Sequence, residues 1–160
     1  KVVKLEKGNL RKAFGNFATG VTVVATIERD GTPRGFTANS FSSVSLDPPL
    51  LLVCISKSVS SLLIFEQAGF FSVNILAETQ REISNIFASQ TKEKFKWVTW
   101  ENGFEDMPLL SGSLACFVCK MDRCIHAGDH MIMIGEVVDF DYKQGSPLTY
   151  FRGQYASLIA

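Results

Sequence analysis

The stretch Gly35-Phe-Thr-Ala-Asn-Ser-Phe-Ser-Ser-Val-Ser-Leu-Asp-Pro-Pro49 restricts the folding of this chain more than any other. It crowds small hydroxyl and amide side chains together, ends in two prolines, and runs straight into Leu50-Leu-Leu-Val-Cys-Ile55. Pro48 and Pro49 lack amide protons and fix φ, so no helix continues through them, and the apolar run after them reads as a buried strand. A second step of this kind lies far along the chain, where His126-Ala-Gly-Asp-His130 opens into Met131-Ile-Met-Ile-Gly-Glu-Val-Val138. Polar ends on apolar strands suggest a β-barrel whose mouth holds a flat, polar-rimmed cofactor.

The rest of the pattern agrees with a strand-rich chain. Leu10, Ala13, Phe14, Phe17 and Ala18 stand at helical spacing, so an amphipathic opening helix is predicted within Lys1 to Phe17, its regular part starting at an Asn9 cap. Strands follow at Val21–Glu28, Gly35–Ser40, Leu50–Ser56 and Phe70–Leu76, with a hairpin signal at Arg29-Asp-Gly-Thr-Pro33. A short helix capped by Ser58 or Ser60 runs to about Gln67, and another covers Glu78–Ala88. Ser89–Trp100 reads as a loop with some helix and Gly103–Leu110 as a surface connection. Ser113–Arg123 and Met131–Tyr142 read as two long strands, and Pro147–Leu158 as a last short one. The predicted class is α+β, mainly β, with a closed or nearly closed barrel, a few flanking helices, and one domain over residues 1–160. Of the thirteen Phe, Phe14, Phe17, Phe41, Phe65, Phe70, Phe71 and Phe117 are assigned to the core by spacing.

Sixteen basic and sixteen acidic residues cancel, which argues against nucleic acid and anionic membranes as partners. No apolar run approaches the roughly 20 residues that span a bilayer, and no secretory signal is read, so a cytoplasmic protein is expected. Cys116 and Cys119 have zinc-ligand spacing near His126 and His130. Yet they fall in a strand, where residues three apart face opposite sides, and no turn brings them together. No metal site and no disulfide are expected.

Three segments carry candidate chemistry. Thr37, Asn39, Ser40, Ser42, Ser43 and Ser45 offer hydrogen bonds that would suit a ring edge bearing carbonyls and an N–H, or else solvate an edge strand. Ser56-Lys-Ser-Val-Ser-Ser61 sits between a strand and a helix, where free amides, hydroxyls and one Lys suit an anion; an ordinary Ser cap fits equally. In the His126–His130 turn, Gly128 permits tightness and Asp129 can orient His130, which could sit over an open cofactor face; a polar hairpin turn with two exposed histidines is the plainer reading. Phe87, Phe151 and Tyr155 could line a ring pocket, although core packing is their default.

Phe17-Ala-Thr-Gly-Val-Thr-Val-Val24, Thr37-Ala-Asn-Ser-Phe-Ser-Ser-Val-Ser-Leu-Asp-Pro-Pro49, Phe71-Ser-Val-Asn-Ile-Leu76, Gly128-Asp-His-Met-Ile-Met-Ile-Gly-Glu-Val137 and Pro147-Leu-Thr-Tyr-Phe-Arg-Gly-Gln-Tyr155 follow one another in this chain. In that order they resemble the short-chain NAD(P)H:flavin oxidoreductases, the reductase components of two-component flavin-dependent monooxygenases. The resemblance runs from about Leu10 to Leu158. It implies an FMN-binding split β-barrel, a homodimer, and hydride transfer from NADH or NADPH to the N5 of FMN or FAD. Reduced flavin would then serve a partner monooxygenase.

Carried over by position, the resemblance places Thr37, Ala38, Asn39 and Ser40 along the flavin ring, with Ser43 supporting that loop. Ser56, Lys57, Ser60 and Ser61 would hold the ribityl phosphate, and Asn74 and Phe87 would complete the flavin pocket. His130, with Gly128 and Asp129, would position the nicotinamide; His126 is a weaker candidate for that role. Phe151 and Tyr155 would close the end of the site. Many relatives carry basic residues around the last Tyr, whereas here only Arg152 stands upstream, which favours NADH over NADPH. A non-catalytic flavin carrier or sensor is the alternative, and the Gly-Asp-His turn argues against it. An oxidase of the pyridoxamine phosphate type would need several cations at the phosphate, where only Lys57 is well placed.

Overall fold

The computed structural model describes residues 5–158; the Lys1–Lys4 part of the predicted opening helix lies outside them. Helix α1 covers Lys7–Phe14. It begins behind Glu6 rather than at Asn9, whose Nδ2 instead donates to Glu6 Oε2 at 3.3 Å. It stops at Gly15, whose amide returns to the carbonyl of Arg11. Phe14 and Phe17, assigned to the core by spacing, are 71% and 79% exposed. The helix has no buried residue, so its apolar stripe finds no cover among the described residues of this chain.

The fold is mostly β. Strands β1 Thr19–Gly20, β2 Thr22–Ile27, β3 Pro33–Ala38, β4 Phe41–Leu46 and β5 Pro49–Ser56 precede helix α2 Leu62–Gln67. Then come β6 Phe70–Ile75, helix α3 Arg81–Ala88, β7 Trp100–Asn102, β8 Pro108–Leu110, β9 Ala115–Ala127, β10 His130–Tyr142, β11 Thr149–Phe151 and β12 Gln154–Ala156. The hydroxyl-rich run after Ser40 is the edge strand β4, pairing with β5 across a bulge between Ser42 and Ser45. One expectation needs correction. Gly103–Leu110 is not wholly a surface connection: β8 pairs with β7, and Met107, Pro108 and Leu110 are buried.

Seven strands form one antiparallel sheet in the order β3-β2-β6-β9-β10-β5-β4, while β1, β11 and β12 form a small second sheet. Laid flat, β3 and β5 would stand roughly 24 Å apart at the usual strand spacing. They touch instead. Phe36 of β3 shares one core with Leu51, Val53 and Ile55 of β5, closed at the end by Phe65 of α2. The sheet is therefore strongly curled, although β3 and β4 make no ladder with each other among the described residues.

Strand β2 explains why it needs no polar face. Val24 points into this inner core, while Val23 and Ala25 point into a second core with Leu76, Phe87, Phe95 and Leu110. Its buried hydroxyls are satisfied: Thr22 Oγ1 donates to the Ala38 carbonyl and Thr26 Oγ1 to that of Phe70, both at 2.8 Å. Two glycines let aromatic rings lie against backbone. A Cβ on Gly135 would stand 2.5 Å from Phe71 Cζ and 2.6 Å from Cys119 Cβ, and one on Gly35 would stand 2.8 Å from Phe87 Cε1.

Candidate functional site

The break between β3 and β4 opens a cleft of about 470 Å³. Asn39, Ser40, Phe41 and Leu52 line one side, and Phe17, Ala18, Thr19, Gly20, Val21 and Thr22 the other. Ser40 is locked in place. Its Oγ accepts from the Cys54 amide at 3.0 Å and donates to the Cys54 carbonyl at 3.2 Å, which stitches the break to β5. Asn39 is exposed, with its amide unengaged by any described side-chain bond. Thr19 Oγ1 is buried and has no partner among the described residues. A buried hydroxyl without a partner costs free energy.

Strand β5 connects this cleft to the second polar segment. Leu52, Cys54 and Ser56 alternate with the buried Leu51, Val53 and Ile55, so they share the outward face. Four residues of strand span roughly 13 Å. At the far end the Lys57 amide donates to the Asp129 carbonyl at 2.9 Å, and Ser56 pairs with His130 across the β5–β10 ladder. The structure thus brings Ser56 and Lys57 beside Gly128, Asp129 and His130. Ser56 Oγ and Ser58 Oγ lie 2.8 Å apart, and neither Ser58 nor Ser60 caps α2; the residue at its start is Ser61, buried and without a capping bond. His130 Nδ1 lies 2.7 Å from Asp129 Oδ1, and this bond, with the histidine's charge, holds the Asp129 carboxyl below its usual range. His126 turns away to Glu66 on α2, at 2.7 Å.

Other predicted site residues stand elsewhere. Asn74 is fully buried: its Nδ2 donates to the Val23 carbonyl at 3.1 Å, and its Oδ1 accepts from the Leu110 amide at 2.9 Å. Phe87 is 1% exposed and packs edge-on against Phe95 at 4.9 Å. Ala38 is in the inner core. Thr37 donates to the Ser84 carbonyl on α3. Tyr155 lies against the same helix, 2.6 Å from Ser84 Oγ and donating to Asn85 Oδ1 at 2.9 Å. Ser43 is exposed on β4, and Phe151 sits under Arg152 at the end of β11, the central strand of the small sheet. The cleft wall from Phe17 to Thr22 was not among the predicted site residues. Its sequence signal was the Phe17–Val24 motif of the resemblance, to which no site role was assigned.

Nothing in the cleft is a ready nucleophile. Burial pushes the Cys119 thiol up to about 12 and raises those of Cys116 and Cys124 as well. Cys116 faces Asn74, at 3.2 Å, while Cys119 faces the inner core. Among the described residues no group of three His, Cys, Asp or Glu is placed to hold a metal. In mildly alkaline buffer Cys119 is expected to resist iodoacetamide until the protein is denatured. Peptide mass spectrometry showing it alkylated as fast as a free thiol would contradict its burial. What the cleft offers is hydrogen bonding and shape, with a lysine and hydroxyls one strand-length away, which suits a flat heterocycle carrying an anionic tail.

Residues 14–158 match the family described as flavin reductase like domain. The chain is 50% identical over 146 residues to the reductase component of the flavin-dependent trigonelline monooxygenase of Acinetobacter baylyi, covering 91% of this chain and 47% of that one. It is 40% identical to an NADH-dependent flavin reductase of a Rhodococcus species, covering 94% and 85%. Among solved structures, the NADH:FAD oxidoreductase SgcE6 of Streptomyces globisporus, in complex with NAD and FAD fragments, superposes with a TM-score of 0.92 at 34% identity, covering 99% and 97%. The chain spans about half the length of the first curated relatives it matches.

Proposed function

Since the chain belongs to the flavin reductase like domain family, we propose that it binds FMN or FAD and reduces it with NADH, supplying reduced flavin to a partner monooxygenase. The observation that carries this reading is the cleft at Asn39–Ser40, joined along β5 to Lys57 and the Ser56–Ser61 turn. A bound flavin supplies the redox chemistry, accepting a hydride from reduced nicotinamide. The chain's own residues bind and orient. Asn39 meets the polar ring edge, and Ser40 fixes the loop that presents it. Lys57, Ser56 and Ser60 hold the phosphate. Asp129 fixes the ring of His130, which positions the nicotinamide. Asn74, Phe87, Thr37 and Tyr155 act from behind, by holding β6, β9 and α3 in place.

The same reading makes the curled sheet a split β-barrel, supported by the contact of β3 with β5, and the chain one domain throughout. It makes the protein a homodimer: Leu46, Phe140 and Tyr142 are 94%, 62% and 74% exposed alongside the bare stripe of α1, more apolar surface than a monomer usually leaves wet. No helix among the described residues is long and apolar enough to cross a membrane. The four cysteines are free, as in a reducing compartment, which supports a cytoplasmic site of action.

NADH oxidation by purified protein, with and without FMN or FAD, tests the activity. Flavin-dependent turnover is expected; bound flavin without turnover with NADH or NADPH would make the protein a carrier. Lys57→Ala is expected to weaken FMN about tenfold, the scale of one charge-assisted phosphate contact, and to leave riboflavin unchanged. Equal losses for both ligands in fluorescence titrations would remove Lys57 from the phosphate.

A further inference from the structure

A second cleft, of about 420 Å³, lies between the C-terminal end of α1 and the β11–β12 turn. Arg11, Lys12 and Arg152 line it, with Gly15, Asn16 and Gly153. Cations in the last turn of a helix often serve only to neutralise its terminal carbonyls. Here those carbonyls are already met. The Gly15 amide bonds to Arg11, the Asn16 and Phe17 amides to Ala13 and Phe14, and Asn16 Nδ2 to Lys12 at 3.1 Å. Arg11 and Lys12 make no ion pair or side-chain hydrogen bond among the described residues, and Arg152 has no carboxylate partner.

Arg152 is held ready. Its amide donates to the Gly15 carbonyl at 2.8 Å, its Nε to Asn16 Oδ1 at 3.0 Å, and its guanidinium lies 4.9 Å from the Phe151 ring centroid. Its backbone sits at φ +49°, a left-handed conformation that the surroundings must enforce. Among the described residues the terminal nitrogens of the guanidinium have no hydrogen-bond partner, and they form the planar fork that suits phosphate oxygens. The cleft also adjoins the first one along the chain, because Asn16 lines one and Phe17 the other.

We propose that this basic cleft binds the diphosphate of a dinucleotide. The inference rests on the proposed reductase function for the identity of that dinucleotide, and on the three cations alone for the diphosphate. NADH and FAD share the adenosine diphosphate half. With Lys57 and the Ser56–Ser61 turn assigned to the flavin phosphate, the pyridine nucleotide is the expected source.

Calorimetric titration of ADP into the full chain, and into the triple variant Arg11→Gln, Lys12→Gln, Arg152→Gln, tests this directly. ADP is expected to bind the wild type and to bind the variant at least tenfold more weakly, while riboflavin binds both alike. A KM for NADH raised at least tenfold, with that for FMN unchanged, would identify NADH as the source; a change confined to FAD would identify FAD. Absence of ADP binding by the wild type, or equal binding by the variant, overturns the proposal. Because ADP binding needs no turnover, failure of the reductase reading would show separately, as a lack of flavin-dependent NADH oxidation. The single variant Arg152→Lys, which keeps the charge and loses the fork, should retain the fold and lose part of the ADP affinity; unaltered affinity would also count against the site.

Discussion

Phe87→Ala is expected to lower the free energy of unfolding by about 3–5 kcal/mol, the usual cost of emptying a buried Phe site. The ring lies between α3 and the sheet, edge-on to Phe95 and close against the bare backbone of Gly35. Neither neighbour can follow it into the void, since Gly35 has no side chain and Phe95 is itself packed on Trp100 at 5.4 Å. Urea denaturation measures the loss. Flavin titration of the folded variant separates packing from ligand contact: affinity should stay within about twofold of wild type, as expected for a group that touches no ligand. A variant of normal stability that no longer binds flavin would move Phe87 from the core to the site.

Gly135→Val should be at least as damaging. The first added carbon would already stand 2.5 Å from Phe71 Cζ and 2.6 Å from Cys119 Cβ, and both neighbours are fully buried. The register of β9 against β10 shifts beside this residue, between Ile134 and Gly135, so the backbone there is already committed. Relief requires moving Phe71 out of the inner core, at a cost of about 3 kcal/mol or more. A domain of this kind holds only about 5–15 kcal/mol in all. A lower urea midpoint and accumulation of insoluble protein are the expected results. A variant as soluble and stable as the wild type would show that β10 has room the structure does not display.

Much of the fold was legible in the sequence. Val21–Ile27, Leu50–Ile55 and Phe70–Leu76 are β-branched or aromatic runs closed by Gly, Pro or Ser, and each became a strand. Strand β4 was legible only as one alternative, an edge strand with solvated hydroxyls, because Phe41-Ser-Ser-Val-Ser-Leu46 also has the composition of a solvated loop; pairing with β5 makes it a strand. Strands β7 and β8 are short and stabilised by each other, which local composition does not reveal. The predicted core places of Phe14 and Phe17 failed for a related reason: helical spacing shows an apolar face but not what covers it.

The candidate site was legible in part. The Ser56–Ser61 turn and the His126–His130 turn were found separately, but their adjacency depends on the β5–β10 ladder. Asn74 is an instructive case, because a polar residue inside an apolar strand looks like a ligand contact. Here its amide instead supplies the Leu110 amide and the Val23 carbonyl with partners that a buried strand could not find in water. The wall from Phe17 to Thr22 stood out as a motif but received no site role, because a cleft belongs to surfaces brought together from distant parts of the chain.

The ladder of β5 with β10 also sets a timetable for synthesis. One edge of β5 is served at once by its neighbour β4, but the other waits for a strand made long afterwards. Until His130–Glu136 has left the ribosome, Leu50–Ser56 carries an open row of backbone donors and acceptors beside bare leucines, a template for stray chains. Translation that stalls before His130, or a protease cut ahead of it, would therefore yield an aggregating fragment rather than a smaller working domain.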